Sequence, residues 1–153
     1  MSKIEAKLIE LGYPLPAVAK PVAAYVPSVI TGNLCFTSGQ LPFVDGALPM
    51  TGKVGKDVSA DDAKDLARLC ALNALAALKL AIGDLDRVTR IVKVVGFVSV
   101  VPEFTAIPAV INGASEFFGE VFGDVGSHAR SAVGVPALPL DSAVELEIIA
   151  EFK

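Results

Sequence analysis

The feature that most constrains the fold is the segment LDRVTRIVKVVGFVSVV, residues 85–101, which lies between two stretches with helical patterning. Its β-branched residues recur with a period near two, which is typical of a central β-strand. Pro102 ends the strand because proline has no backbone N–H to donate to a sheet. A strand of this length needs neighbouring strands and a packed layer of helices, and the rest of the chain has to supply both.

The two flanking stretches are predicted to be helices. Ser59 is a good N-cap, and Asp61 and Asp62 favour the positive end of a helix that begins there. The segment ADDAKDLARLCALNALAALKLAIG continues it with a wide apolar face, suited to lying on a sheet. After the strand, EFTAIPAVINGASEFFGEVFG predicts a second helix, entered at or after Pro108 and stopped by Gly123.

The remaining segments predict further strands around this unit. AAYVPSVITGNLCFTSGQLPF reads as a hairpin with its turn at residues 31–33, and HARSAVGV and SAVELEIIAEF read as two closing strands. VDGALPMTGKVGKDVS is expected to hold a short strand and a surface loop. We therefore expect one α+β domain over residues 1–153, with one mixed β-sheet covered on one face by the two helices. Residues 1–20, which contain a short amphipathic helix, form an N-terminal arm.

The composition indicates that the helices alone do not cover the apolar surface. Hydrophobic residues make up 53% of the chain and charged residues only 20%, although a monomer of this size leaves roughly a third of its extended-chain surface exposed. We therefore expect an obligate oligomer. The second face of the sheet is expected to need a partner subunit, because four apolar strand residues cannot all point at the helices: Val92, Val94, Ile148 and Ala150.

Charge and cysteine usage exclude several classes of protein. A net charge of −4 without any cluster of lysine or arginine does not favour nucleic acid as a partner. The N-terminus lacks the apolar region of a signal peptide, and no apolar run is long enough to span a bilayer, so a cytoplasmic protein with no membrane partner is expected. Cys35 and Cys70 are predicted to be buried, reduced thiols. With His128 as the single histidine, no metal motif is present, and neither a metal nor a cofactor is expected.

A few polar residues in strand-like surroundings are candidates for a site. Alternation along the last strand separates Glu145 and Glu147 from its apolar face. Arg130 lies among small residues on the preceding strand, where it fits a surface ion pair or a cleft. Residues 37–39, Thr-Ser-Gly, can offer free N–H groups and hydroxyls to a small anion or be an ordinary strand end. Tyr25 is an interface or core aromatic by default.

Two motifs in these segments resemble the YjgF/Rid family of enamine/imine deaminases, also labelled endoribonuclease L-PSP or translation inhibitors. They are N-L-x-F-T-S-G-Q from Asn33 and A-R-S-x-V-x-V-x-x-L-P-x-x-x-x-V-E-x-E from Ala129. The resemblance implies a chorismate-mutase-like fold and a homotrimer with clefts between subunits. It implies that Arg130 binds a substrate carboxylate and that Glu145 positions a hydrolytic water. The other residues implied to line the cleft are Ser38, Gly39, Asn112 and, from the neighbouring subunit, Tyr25.

The implied function is hydrolytic deamination of small 2-imino or enamino acids to 2-keto acids and ammonia. Ala132 stands where many members of the family have a cysteine, and the segment 46–59 is longer than in short members, so a longer-chain subgroup is indicated. A trimer that binds keto acids without turnover is therefore a rival hypothesis. An endoribonuclease is a second rival, although the acidic composition and the single histidine do not favour it.

Overall fold

The long helix and the long strand predicted from the sequence form the centre of the molecule. In the computed structural model, which describes residues 2–18 and 24–153, helix α2 spans Ala60–Ile82 and strand β3 spans Val88–Ser99. The Ser59 hydroxyl accepts a hydrogen bond from the Asp62 N–H at 3.1 Å, as its cap role predicts. No helix in these ranges is long and apolar enough to cross a membrane.

Strand β3 belongs to a five-stranded sheet, whose order is β1-β2-β5-β3-β4. Strands β3 and β4 are parallel and the other neighbours are antiparallel, so the prediction of a single mixed sheet is confirmed. Gly32 has φ of +59° and makes the predicted hairpin turn between β1 and β2. The other strands are β1 (Ser28–Thr31), β2 (Leu34–Thr37), β4 (Ala129–Val135) and β5 (Val144–Phe152).

The prediction of a short strand in the segment 44–59 is wrong, because this segment makes only isolated bridges. Asp45, Gly46, Gly52 and Gly55 all have positive φ, which interrupts extended backbone at short intervals. Its hydrogen bonds go instead to separate partners, as when the Val54 N–H donates to the Ser99 carbonyl at 2.8 Å. The segment is a loop fixed against the end of β3.

Two helices, α2 and one that follows β3, lie on one face of the sheet, and a third, near the N-terminus, packs against the helix after β3. Helix α3 spans Ile107–Phe122 and ends at Gly123 as predicted, and it packs on both α2 and the sheet. Helix α1 spans Lys3–Glu10 and begins with a capping box at Ser2. The short helix predicted in the N-terminal arm is therefore present, and its Leu8 is fully buried. Residues 1, 19 and 20 of the arm lie outside the described residues.

Two glycines let α3 approach its neighbours closely. A Cβ added at Gly113 would lie 2.0 Å from the Lys64 carbonyl oxygen of α2, and a Cβ at Gly96 would lie 2.5 Å from Cδ1 of Ile111. Real side-chain carbons do not approach other atoms to these distances, so neither position has room for a methyl group. The position of α3, which carries Asn112 between these contacts, is thus fixed by packing.

The apolar residues expected to need a partner were assigned to the wrong sheet face. Val94 pairs with Ile148, and both lie beneath the helices with Ala150, at most 2% exposed. Val92 falls at a break in the β3–β5 register. The opposite, open face is nevertheless apolar at several positions, because the residues one place along each strand point there. Its exposed apolar side chains include Val29, Phe36 and Val133.

Candidate active site

Arg130 lies on β4, the strand at one edge of the sheet. It pairs in register with Val94, so its side chain projects to the helix side and runs under α3. Its Nη1 donates to Asn112 Oδ1 at 2.7 Å and to Ser115 Oγ at 3.1 Å. Both protons of Nη1 are therefore used, and the edge formed by Nε and Nη2 is left for a ligand. Nη2 donates one long hydrogen bond, at 3.5 Å, to the Pro108 carbonyl, and its second proton is left for the ligand.

The Arg130 guanidinium has no carboxylate partner in the described parts of the chain. The ion pairs there join other residues: Lys7–Glu10, Lys64–Glu116 and Lys79–Glu5. A half-buried guanidinium with one fixed nitrogen and one free edge matches the two oxygens of a carboxylate. We call Arg130, Asn112 and Ser115 the arginine half-site.

Ser115 was not among the residues predicted from the sequence, and His128 had no assigned role. The structure joins them: His128 Nε2 lies 2.8 Å from Ser115 Oγ, and His128 Nδ1 lies 2.6 Å from the Gly126 carbonyl oxygen. The signal that could have found Ser115 is its spacing from Asn112, because residues i and i+3 share a helix face.

Glu145 lies on β5 and is half-buried. Burial, and then the negative charge of Glu147, raise the pKa of its carboxyl group. The carboxylate lies against the backbone of Gly39, where a Cβ would be 2.3 Å from Glu145 Oε1. This contact is held by a two-way backbone bridge between Gln40 and Leu146, at 2.8 and 3.0 Å. No lysine or arginine of the described residues forms an ion pair with Glu145.

At residues 37–39, internal hydrogen bonds use the Ser38 N–H and hydroxyl and the Thr37 oxygen, which agrees with the simpler of the two interpretations, an ordinary strand end. The Ser38 N–H donates to Pro27 O at 2.8 Å, and the Ser38 hydroxyl donates to Val26 O at 2.6 Å. Thr37 is buried, and its Oγ1 accepts from the Ile148 N–H at 3.0 Å. These contacts tie the end of β2 to the segment that carries Tyr25, which is 47% exposed. We call Glu145, Gly39 and Ser38 the glutamate half-site.

The two half-sites are not brought together within one chain. Arg130 shares the helix side of the sheet with Val94 and Ile148, through the register of β3. Glu145 is three residues from Ile148, an odd number, so it projects from the open face. A site that uses both Arg130 and Glu145 must therefore take them from different subunits.

The two cysteines are fully buried and unbonded, as predicted. Burial raises the pKa of the Cys70 thiol well above its ordinary value, and the charge of Glu145 adds to this. Burial also raises the pKa of the Cys35 thiol. Since the thiolate is the nucleophilic form, neither residue is suited to covalent catalysis.

Comparison with known proteins agrees with this fold. Residues 5–152 match the family described as "YjgF/chorismate mutase-like, putative endoribonuclease". Protein TCP17 of Trypanosoma cruzi is 44% identical over 97% of this chain and 94% of its own. The 2-iminobutanoate/2-iminopropanoate deaminase of Salmonella typhimurium is 37% identical over 84% of this chain and 88% of its own.

Solved structures show the same relationship. Atu1372 from Agrobacterium tumefaciens superposes with a TM-score of 0.92 at 47% identity, over 98% of this chain and 92% of its own. TdcF from Escherichia coli, with bound serine, gives 0.66 at 29% identity, over 89% and 94%. The fold defines a small α+β protein with two separate polar half-sites, one with Arg130 on the edge strand β4 and one with Glu145 on the central strand β5. The chain belongs to the YjgF/chorismate mutase-like family.

Proposed function

We propose that the protein hydrolyses 2-imino acids to 2-keto acids and ammonia at a site between subunits. The observation that carries this proposal is the Arg130 guanidinium. Asn112 and Ser115 hold its Nη1, and it has a free edge and no carboxylate partner among the described residues. A small substrate that carries a carboxylate beside its C=N carbon would be bound there in a fixed orientation.

The proposed reaction needs one water and no covalent intermediate with the protein. Arg130 of one subunit holds the carboxylate, and Glu145 of a neighbouring subunit orients a water and takes its proton. The water oxygen bonds to the C=N carbon, and Glu145 passes the proton it took on to the nitrogen. The hydroxyl proton of this adduct then moves to the nitrogen as the C–N bond breaks, which gives the keto acid and ammonia. A carboxyl group with a raised pKa is a stronger base than an ordinary one, which suits Glu145 to this role.

The proposed assembly is a homotrimer. The open sheet face exposes Phe36 and Val133, 39% and 44% exposed, and apolar residues of this size are commonly covered in an interface. A cyclic arrangement would place the open face of one subunit, with Glu145, against the β4 edge of the next, with Arg130. Each interface would then contain one arginine half-site and one glutamate half-site.

The relatives support the same substrate class. A relative 37% identical is a 2-iminobutanoate/2-iminopropanoate deaminase, and a structural neighbour holds serine, a small molecule with a carboxylate. Ala132 replaces a cysteine that many family members have, so the site would work by positioning and acid–base chemistry. The net charge of −4 does not favour an RNA substrate.

The test is an imine-hydrolysis assay. An amino-acid oxidase generates 2-iminobutanoate, semicarbazide traps the imine, and keto-acid release is compared with and without the protein. We expect wild type to accelerate release and Arg130→Lys, which cannot form the bidentate pair, to lose most of this acceleration. Full activity in Arg130→Ala would overturn the proposal. Saturable 2-oxobutanoate binding without any acceleration would instead support a binding protein.

A further inference from the structure

A directed chain of hydrogen bonds leads from His128 through Ser115 to Arg130. The Gly126 carbonyl oxygen can only accept, so His128 Nδ1 carries the proton of that 2.6 Å contact. In the neutral ring Nε2 is then an acceptor, and the Ser115 hydroxyl donates to it at 2.8 Å. The Ser115 oxygen is thereby left to accept from Arg130 Nη1 at 3.1 Å. Each proton in the chain has one acceptor.

The His128 ring is held in this orientation by its surroundings. The ring meets Phe118 edge to face, with centroids 5.9 Å apart and planes at 85°. Gly126, which accepts the Nδ1 proton, packs so closely on α3 that a Cβ there would lie 2.3 Å from the Phe118 carbonyl oxygen. Rotation of the ring would break both contacts, so the imidazole is fixed before any ligand arrives.

We propose that His128 is a positioning residue that acts on Arg130 through Ser115. A serine hydroxyl rotates freely and can also turn to a carbonyl of its own helix. The His128 Nε2 acceptor fixes the Ser115 proton, so the serine oxygen always presents lone pairs to Nη1. Nη1 is then held from two sides, by Ser115 and Asn112, and the Nε–Nη2 edge points one way. This inference rests on the proposed role of Arg130 as the carboxylate anchor.

The first test measures binding of 2-oxobutanoate by calorimetry to wild type, His128→Leu, Ser115→Ala and the double variant. We expect each single variant to weaken binding about fivefold to tenfold, the range of one hydrogen bond. The double variant should bind no more weakly than the weaker-binding single variant, because both substitutions interrupt the same chain of hydrogen bonds. His128→Gln should bind more tightly than His128→Leu and nearly as tightly as wild type, since the glutamine amide oxygen can accept the Ser115 proton. Ser127→Ala, at an exposed neighbour, is the matched control.

The kinetic readout separates positioning from catalysis and from loss of structure. In the imine-hydrolysis assay, His128→Leu should raise KM about as much as it weakens binding, with kcat changed less than about twofold. A loss of kcat at unchanged KM would contradict a role in carboxylate binding. If His128→Leu does not fold, Ser115→Ala is used as the test variant, because it leaves the packing of His128 on Phe118 in place.

The second test uses His128 as a probe, since it is the only histidine in the chain. Long-range ¹H–¹⁵N spectra of the untagged protein at pH 8 should show the proton on Nδ1. Addition of 2-oxobutanoate should shift the imidazole signals in wild type and leave them unshifted in Ser115→Ala. A proton on Nε2 would overturn the inference.

The two proposals fail separately. If Arg130→Ala abolishes 2-oxobutanoate binding while His128→Leu and Ser115→Ala bind as wild type, the positioning role is wrong and the carboxylate anchor stands. If Arg130→Ala binds 2-oxobutanoate as wild type does, the anchor itself is wrong, and the proposed role of His128 goes with it.

Discussion

Gly39 and Glu145 are in contact across the β2–β5 strand pair. A Cβ at position 39 would lie 2.3 Å from Glu145 Oε1 and 3.0 Å from its Cδ. The glycine is therefore needed for space, because its φ is not positive and other residues can adopt its backbone conformation. The absent side chain fixes where the Glu145 carboxylate can lie, and this position determines whether it can reach a bound water.

Gly39→Ala should lower deaminase activity at least about tenfold with little loss of thermal stability. The carboxylate is the end of a flexible side chain, so it can move aside without disturbing the core, but it then leaves the position proposed for catalysis. Activity and thermal unfolding are measured side by side. Gly119→Ala is the control, because a Cβ there meets nothing within 4 Å. Equal activity in Gly39→Ala and wild type would contradict this role.

The pH dependence of activity should report on Glu145. Burial and the negative charge of Glu147 raise the pKa of the Glu145 carboxyl group above the ordinary 4.5. In the proposed site the substrate carboxylate would offset the positive charge of Arg130, which would otherwise lower this pKa. The proposed base works only as the carboxylate, so activity should fall as pH decreases through a value above 4.5.

Two variants test whether Glu145 causes the fall in activity at low pH, which is the acid limb of the pH profile. Glu147→Gln removes one of the two causes of the shift, so the limb should move to lower pH. Glu145→Gln should remove the limb together with most of the activity. The measurement is kcat/KM between pH 5 and pH 9, after subtraction of spontaneous hydrolysis. A limb that stays in place in Glu147→Gln would show that another group controls it.

Mixing two inactive variants should restore activity if each site is shared. Arg130→Ala and Glu145→Gln subunits, refolded together in equal amounts, give mixed trimers in about three quarters of cases, each with one intact site in three. We therefore expect about a quarter of wild-type activity. Each variant refolded alone is the control. No recovery in a mixture shown to contain mixed trimers would show that no site combines Arg130 of one subunit with Glu145 of another.

Gly113→Ala should be strongly destabilising, by about 2 kcal/mol or more. A Cβ there would lie 2.0 Å from the Lys64 backbone carbonyl, so α2 and α3 must separate. Gly96→Ala should cost less, because its nearest neighbour is a side-chain atom, Ile111 Cδ1. Denaturant unfolding of the two glycine variants checks this order, and a larger loss in Gly96→Ala would contradict it.

The helices and strands could be predicted because their signals are local. Ser59, Pro108 and Gly123 mark helix ends through capping and backbone restrictions that act within a few residues. The alternation along β5 likewise showed that Glu145 and Val144 lie on opposite faces. The prediction failed for residues 44–58, where hydrogen bonds to distant segments replace a strand ladder, and for the sheet face of Val94, which depends on register with β5.

The sequence by itself determined the elements of this protein, the mixed sheet and the individual residues that a family motif marks, because propensities, caps and motifs are written in short stretches of chain. Only the tertiary structure decided that Arg130 and Glu145 lie on opposite faces, that Gly39 makes room for the carboxylate, and that Ser115 and His128 support the arginine. These relationships join residues far apart in the chain, and their geometry is set by strand register and by the packing of α3 on the sheet.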